Sequence, residues 1–358
     1  MMETVLVAMS GGFDSFMAAY LLKKAGHRAI GVTFTLFEGT LFDSGDSARS
    51  GSRSAAAEAR DLCRDLGLPH HVIDLSDVFA GRVVEPFIEG YRRGTTPNPC
   101  VLCNRFVKFG AFYDRAVEMG ADMVATGHYA RAERHDGEVI LRKGRDVNKD
   151  QSYFLYAIDE KTLLRTVFPL GGHTREGLLV LARTEGLRLP RSRPSQDVCF
   201  LAGRRYTDFL SRFIKRRQGR VYLADGTLLG RHEGIHLFTI GQRRGINIPF
   251  GEALYVVDIR ADENTVIVGT KADLAAHALT ARDVSIRYPL GEGLSARVRY
   301  RQPDRPCTCA VRGDTLSVRF TEPVDGVAPG QSVVLYRDDI VAGGGVIEKR
   351  VALEKTIL

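Results

Sequence analysis

Thr4-Val5-Leu6-Val7-Ala8-Met9 runs straight into Ser10-Gly11-Gly12-Phe13-Asp14-Ser15, and then into Phe16-Met17-Ala18-Ala19-Tyr20. The apolar run reads as a buried strand. Phe16 to Ala25 reads as a helix that Gly26 closes. The two glycines at the junction let the backbone approach an anion closely. The following helix turns unpaired N–H groups and its positive dipole end toward that anion. Ser10 and Ser15 add hydroxyl donors. Asp14 cannot itself hold phosphate, so its expected role is to orient the loop or to bind Mg²⁺. The Lys-Ser/Thr ending of a kinase-type P-loop is absent, as is the GxGxxG dinucleotide pattern.

Outward from this junction the first half alternates strand and helix. Ala29–Leu36, His71–Leu75 and Met123–Thr126 read as strands. Ala55–Leu66, stopped by Gly67 and Pro69, reads as a helix, as do Val78–Tyr91 and Phe106–Met119. Such alternation predicts an α/β fold with a doubly wound parallel sheet, whose ligands sit beyond the carboxyl ends of the strands. Glu38–Ser54 is rich in Gly, Ser and Asp and reads as a mobile loop beside the nucleotide site. Helical patterns recur at Thr174–Gly186 and Tyr206–Gln218.

From Gly219 the runs become short and turn-punctuated. Strands are expected at Val221–Leu223, Ile235–Ile240, Leu254–Ile259 and Thr265–Gly269. Others are expected at Ser295–Tyr300, Thr308–Arg312, Thr315–Phe320 and Ser332–Tyr336. This predicts two small β-rich domains, the last a β-barrel. The expected division is residues 1–218, 219–281 and 282–358.

Formal net charge is +7 over 358 residues, which favours a polyanionic partner. Arginine clusters at Arg191–Arg193, Arg204-Arg205, Lys215–Arg217 and Arg297–Arg305 are candidate phosphate-backbone contacts. No apolar stretch approaches the ~18 residues of a membrane span. The start of the chain lacks the pattern of a signal or transit peptide, so a cytoplasmic location is expected.

Six cysteines in such a chain point to catalysis or metal binding where spacing supports it. Thr96-Pro97-Asn98-Pro99-Cys100-Val101-Leu102-Cys103-Asn104 is the leading case. The prolines predict an extended loop ending at a helix start, with Asn104 as a cap and Cys103 acidified by the dipole. A bare C-x-x-C is open among redox pair, zinc half-site and iron–sulfur ligand. Cys199, in Ser195-Gln196-Asp197-Val198-Cys199-Phe200, reads by itself as a core residue. Cys63, Cys307 and Cys309 read as packing, and His70-His71 as structural.

Taken together these stretches resemble the tRNA-specific 2-thiouridylases of the MnmA type, within the pyrophosphatase-loop enzymes that split ATP into AMP and pyrophosphate. The likeness also rests on Ala125–Arg131, Asn148–Leu155, Cys199-Phe200, Gly234–His236 and Thr239–Gly245, and runs from Val5 to about Gly345. It implies an adenine nucleotide α-hydrolase-like first domain. Ala8, Met9, Ser10, Gly11, Gly12, Phe13, Asp14 and Ser15 would bind ATP with Mg²⁺, with Phe34 and Gly127 near the adenine. ATP would adenylate the 2-carbonyl oxygen of the wobble uridine of tRNA. Cys199 would carry a persulfide, and Cys103 would be the nucleophile that completes sulfur transfer. Asn98, Pro99 and Cys100 would lie at the target base. His128, Lys149, Asp150, Gln151, Arg299, Tyr300 and Gln331 would contact tRNA. The implied partners are tRNAs for Lys, Glu and Gln, and a sulfur donor such as a cysteine desulfurase or a small sulfur carrier.

The family usually has aspartate where this chain has Cys100. Cys100, Cys103 and Cys199 then resemble the three thiolate ligands of the iron–sulfur-dependent tRNA thiolases, so a 4Fe–4S cluster stands beside a persulfide–disulfide relay. Two other functions share features of the chain. One is another tRNA-modifying ligase or thiolase with this loop. The other is a tRNA-binding protein without catalysis.

Overall fold

The computed structural model describes residues 2–36, 47–190, 198–201 and 203–352, leaving aside the side chains of 47–54 and 352. The chain divides into two units. The first contains residues 1–83, 100–202 and 339–341; the second contains residues 84–99, 203–338 and 342–358.

The first unit is built on a parallel sheet. β1 (Thr4–Ala8) lies between β2 (Arg28–Thr35) and β4 (Met123–Ala125). β3 (His70–Asp74) flanks β2, and β7 (Thr166–Val167) flanks β4. The order β3-β2-β1-β4-β7 places the first strand in the middle. A central strand is covered on both faces, so it must be apolar at every position. Val5, Leu6 and Val7 are indeed wholly buried. Val5 and Val7 share a core with Phe16, Met17, Ala18, Ala19 and Leu22 of helix α1 (Phe13–Lys24). Ala59, Leu62 and Cys63 of helix α2 (Ser47–Asp65) complete it. A hairpin, β5 (Ala130–His135) and β6 (Glu138–Lys143), follows β4; Ile340 pairs with Arg142 of β6.

Several expectations need correction here. Residues 38–46 of the expected loop lie outside the described residues, but 47–54 are helical, part of α2. The alanines at 55–57 are strong helix formers, and an established helix propagates backward cheaply. The helix expected over Val78–Tyr91 is three pieces: Ser76–Phe79, a π-helical stretch Ala80–Val84, and Glu85–Arg92. Pro86 supplies no N–H and crowds the carbonyl four residues earlier, which loosens the register ahead of it.

The second unit is β-rich. One sheet has the order β10-β11-β8-β9, from β8 (Gly219–Leu223), β9 (Leu228–His232), β10 (Tyr255–Arg260) and β11 (Thr265–Gly269). The other runs β12-β15-β14-β13-β16-β17 and closes by a β12–β17 pairing. Its strands are β12 (Ala276–Ile286), β13 (Leu294–Arg297), β14 (Arg305–Arg312), β15 (Thr315–Val324), β16 (Ser332–Arg337) and β17 (Ile340–Ala352). The expected terminal β-barrel is therefore present, with six strands around Leu279, Leu316, Val333, Leu335 and Ile347. Cys307 lies in that core and Cys309 packs against it. Ile235–Leu237 is a 3₁₀ turn rather than a strand, entered through Gly234 at φ 159°. The helix expected over Tyr206–Gln218 ends at Leu210. Lys215-Arg216-Arg217 adds like-charge repulsion without an apolar stripe to hold further turns.

Candidate active site

The loop after β1 is shaped by its own hydroxyls. Ser15 Oγ donates to the Gly12 carbonyl at 3.0 Å and accepts from the Ser10 amide at 3.2 Å. Gly11 sits at φ 75°, in the left-handed region, and a Cβ there would lie 2.9 Å from the Ala55 carbonyl. The first backbone bond of α1 runs from the Phe16 amide to the Gly12 carbonyl. Amides earlier in the turn have no partner within the helix, so they are available to an anion.

Of the two residues expected near the adenine, Gly127 flanks this loop. A Cβ on Gly127 would stand 2.7 Å from the Asp14 carbonyl carbon and 2.8 Å from the Ser15 amide nitrogen. Only a glycine lets these backbones meet. Phe34, half-buried near the end of β2, packs its ring 4.8 Å from that of Phe112. Ala8 and Met9 are fixed by the sheet; the Met9 amide donates to Val32 and the Met9 carbonyl accepts from Thr33 Oγ1.

Asp14 is anchored on one oxygen. Its Oδ1 accepts from the Tyr129 hydroxyl at 3.0 Å and pairs with Arg175 Nη1 at 2.7 Å. Burial, helped by the carboxylate beside it, drives the Tyr129 phenol well above its usual range. Arg175 also lies over the Phe13 ring, 5.0 Å from its centroid. Sequence reasoning missed both Tyr129 and Arg175. Nothing local marks Arg175, which begins a helix 161 residues beyond Asp14.

The cysteine segment departs from expectation. Helix begins at Pro99, not after Cys103: Pro99–Leu102 is α-helical, Cys103–Ala111 is π-helical, and Phe112–Glu118 is α-helical. Proline suits the first turn of a helix, where its missing N–H costs nothing. Asn104 is therefore no cap. It is buried inside the helix, and its Nδ2 donates to the Phe154 carbonyl at 3.0 Å.

Cys100, Cys103 and Cys199 act on one another electrostatically, and Lys108 acts on all three. Burial pushes Cys103 up to about 12 and Cys100 up to about 11, with Lys108 opposing each. Cys199 is also raised by burial. The expected dipole acidification of Cys103 is thus wrong, because desolvation of the thiolate outweighs it. Cys100 and Cys199 are nevertheless open to solvent at their surfaces. Both facts hold for thiols that water reaches but many protein atoms crowd, and the crowding governs the thiolate. Cys63, by contrast, is wholly buried and raised to about 11 by burial.

The residues expected at tRNA scatter in role. His128 is buried, with rings of Phe109 and Phe168 at 6.0 and 6.1 Å and Thr126 Oγ1 at 2.7 Å from Nδ1. Asp150 is buried and accepts from the amides of Gly144 and Ser152. Gln151 Oε1 accepts from the Tyr129 amide, and Lys149 is half-buried. Within the second unit, Gln331 Nε2 donates to the carbonyls of Thr96, at 2.9 Å, and Pro97, at 3.3 Å. It therefore braces the backbone just before Asn98 and Pro99. Arg299 donates to the carbonyls of Gly326 and Ile240, and the neighbouring Tyr300 is half-buried. Arg297 pairs with Asp304 at 2.7 Å. Arg297 and Arg299 thus serve the fold, while Arg301, Arg305 and Lys215–Arg217 are exposed. Arg191–Arg193 lie outside the described residues. A recess of about 640 Å³ in the second unit is lined by Arg217, Arg220, Arg231 and Arg260, which the sequence reading passed over apart from Arg217.

Family models cover almost the whole chain. A tRNA methyl transferase HUP domain matches residues 3–203, a tRNA methyl transferase PRC-barrel domain 207–270, and an aminomethyltransferase β-barrel domain 279–347. A tRNA-specific 2-thiouridylase MnmA of Syntrophotalea carbinolica is 44% identical over 96% of this chain and 98% of its own. MnmA 1 of Caldanaerobacter subterraneus subsp. tengcongensis is 41% identical over 97% and 98%. MnmA 1 of Clostridium botulinum (strain Loch Maree / Type A3) is 38% identical over 98% and 100%. The chain belongs to the tRNA-specific 2-thiouridylase family.

The first unit holds both the Ser10–Ser15 loop and Cys100, Cys103 and Cys199. An iron–sulfur cluster is a different matter. Among the described residues no group of three or more His, Cys, Asp or Glu stands where it could hold a metal ion. Cys100, Cys103 and Cys199 are therefore carried forward as thiols. Nor is Asp14 open to Mg²⁺ at Oδ1, which Tyr129 and Arg175 already engage; of its two expected roles, orienting the loop is the one the geometry favours. Among the described residues no helix is long and apolar enough to cross a membrane.

Proposed function

We propose that this chain is an ATP-dependent sulfurtransferase that converts the wobble uridine of tRNA to 2-thiouridine. The observation that carries the reading is one unit holding the Ser10–Ser15 loop, backed by Gly127, together with three thiols sharing the field of Lys108. The uracil O2 attacks the α-phosphorus of ATP, and magnesium pyrophosphate leaves. Loop amides and serine hydroxyls hold the phosphates, which the helix dipole favours. C2 of the base then carries AMP as a leaving group.

Cys199 brings the new sulfur as a persulfide, whose terminal sulfur attacks C2 as AMP departs. The base is now linked through a disulfide to Cys199. Cys103 attacks the Cys199 sulfur, forming a Cys103–Cys199 disulfide and releasing the thio-base. An external thiol reductant restores both cysteines. Cys103 must lose a proton that burial holds tightly, and Lys108 is the charge that eases this loss. Cys100 is the spare third thiol in this scheme. Asn98, Pro99 and Cys100 would adjoin the target base, with tRNAs for Lys, Glu and Gln as substrates. A cysteine desulfurase or small sulfur carrier would load Cys199, in the cytoplasm.

The test is pyrophosphate release and tRNA thiolation with tRNA lacking the modification. Wild-type protein should show both. C103A should release pyrophosphate yet form no free 2-thiouridine; full thiolation by C103A would overturn the relay. Iron and acid-labile sulfide in anaerobically purified protein should be negligible, and about four of each per chain would replace the relay with a cluster.

A further inference from the structure

The phosphate loop contains no cation of its own, and it places the Asp14 carboxylate in the first turn of α1, where a polyphosphate must approach. Repulsion there would oppose binding unless a positive charge accompanied the anion. Arg175 supplies one. Its Nη1 holds Asp14 Oδ1 at 2.7 Å, and its guanidinium carbon lies over the Phe13 ring, 5.0 Å from the centroid. Its backbone is fixed too: the Arg175 amide donates to Asp146 Oδ2 at 2.9 Å, and Thr174 caps the same helix by accepting from Gly177 at 3.1 Å. The side chain is only 22% exposed. An arginine has five N–H donors in a planar fork. Arg175 engages Asp14 and also the Tyr129 hydroxyl, and a five-donor fork has N–H groups beyond these two contacts whose geometry matches phosphate.

Resting on the reading of this loop as an ATP site, we propose that Arg175 is a ligand of the departing pyrophosphate. It stays paired with Asp14 at rest and contacts the β- and γ-phosphates when ATP is bound. Negative charge grows on pyrophosphate as the bond to the α-phosphorus breaks, and a guanidinium already in place stabilises that growth without reorganising. Tyr129, which donates to the same Asp14 oxygen, then keeps the carboxylate anchored as the fork shares its charge.

The experiment is calorimetric titration of full-length wild type, R175A and R175K with magnesium–ATP, AMP and inorganic pyrophosphate. Melting curves verify that each variant is folded. R175A should weaken ATP and pyrophosphate tenfold or more and AMP less than twofold. R175K should fall between, since it keeps the charge and loses the fork. The R175A/D14N double variant should remain as weak as R175A. Unchanged ATP and pyrophosphate affinity in R175A would overturn the proposal. So would equal losses for AMP and ATP, which mark a merely structural role, or recovery in the double variant, which marks simple neutralisation of Asp14. A wild type that binds no ATP would sink the nucleotide reading itself and this proposal with it.

Discussion

Cys103 is a thiol held in its neutral form. Burial raises it to about 12, while Lys108 pulls the other way. Its alkylation by iodoacetamide should therefore be slow at pH 8 and climb steadily with pH, since the thiolate is the reactive species. K108A removes the opposing charge and should slow that alkylation by about tenfold, the effect of one pKa unit. K108R should largely preserve the rate, and an unchanged rate in K108A would show that Lys108 does not govern the thiol. Gly127 gives a second prediction at the same scale. A methyl group 2.7 Å from the Asp14 backbone forces the phosphate loop to move. Overpacking of this kind costs roughly 1–3 kcal/mol. G127A should accordingly weaken ATP binding about tenfold in calorimetry, with the melting temperature of the protein lowered only slightly.

Among the elements, the helix from Pro99 to Glu118 matters most, because its middle is π-helical. Cys103 and Lys108 are five residues apart, the span of one π-helical hydrogen bond and little more than one turn, so the register keeps the lysine nearer the cysteine's side. An α-helix would turn it away. The same stretch carries Phe109, which with Phe168 encloses His128. Burial holds that imidazole well below its ordinary value of 6.5. The unfolded chain therefore binds a proton that the folded protein refuses. Unfolding becomes easier as pH falls through 6.5, and stability is retained above it. Chemical denaturation at pH 8 and pH 5.5 should show a loss at low pH that H128F reduces. An equal loss in H128F would assign it to other groups.

Much of this element was legible and some was not. Pro97 and Pro99 announce a backbone constraint, yet proline marks a loop and a helix start equally well, so the register of the helix was misjudged. The π-helical turn leaves no mark in residue spacing, because the apolar pattern of nine residues cannot separate 4.4 from 3.6 per turn. The hairpin β5–β6 did carry a signal in Asp136-Gly137, at φ 50° and 83°, which suits a tight turn. The strand–turn–helix order around Ser10–Ser15 was legible because these elements are contiguous there, although the helix begins at Phe13 rather than Phe16. The pairing of Arg175 with Asp14 was not, since tertiary folding alone brings those positions together.

For the whole molecule the governing quantity is charge. A formal +7 suits a polyanionic substrate, and exposed arginines in the second unit give that charge a place. Arg220 and Arg231 line the recess of about 640 Å³ with Arg217 and Arg260. Affinity for tRNA should fall steeply as salt rises, by counterion release, with log K linear in log salt. R220E/R231E should flatten that slope by about two phosphate contacts and leave ATP affinity unchanged. An unaltered slope would remove this recess from the tRNA surface. The measurement that tests the central claim most directly is a single turnover of Cys199-persulfide protein with ATP and unmodified tRNA, resolved by mass spectrometry. The relay predicts one 2-thiouridine per chain in wild type, with a Cys103–Cys199 disulfide left behind. It predicts a tRNA–Cys199 adduct that persists in C103A. Free 2-thiouridine from C103A, or thiolation without ATP, would contradict the account.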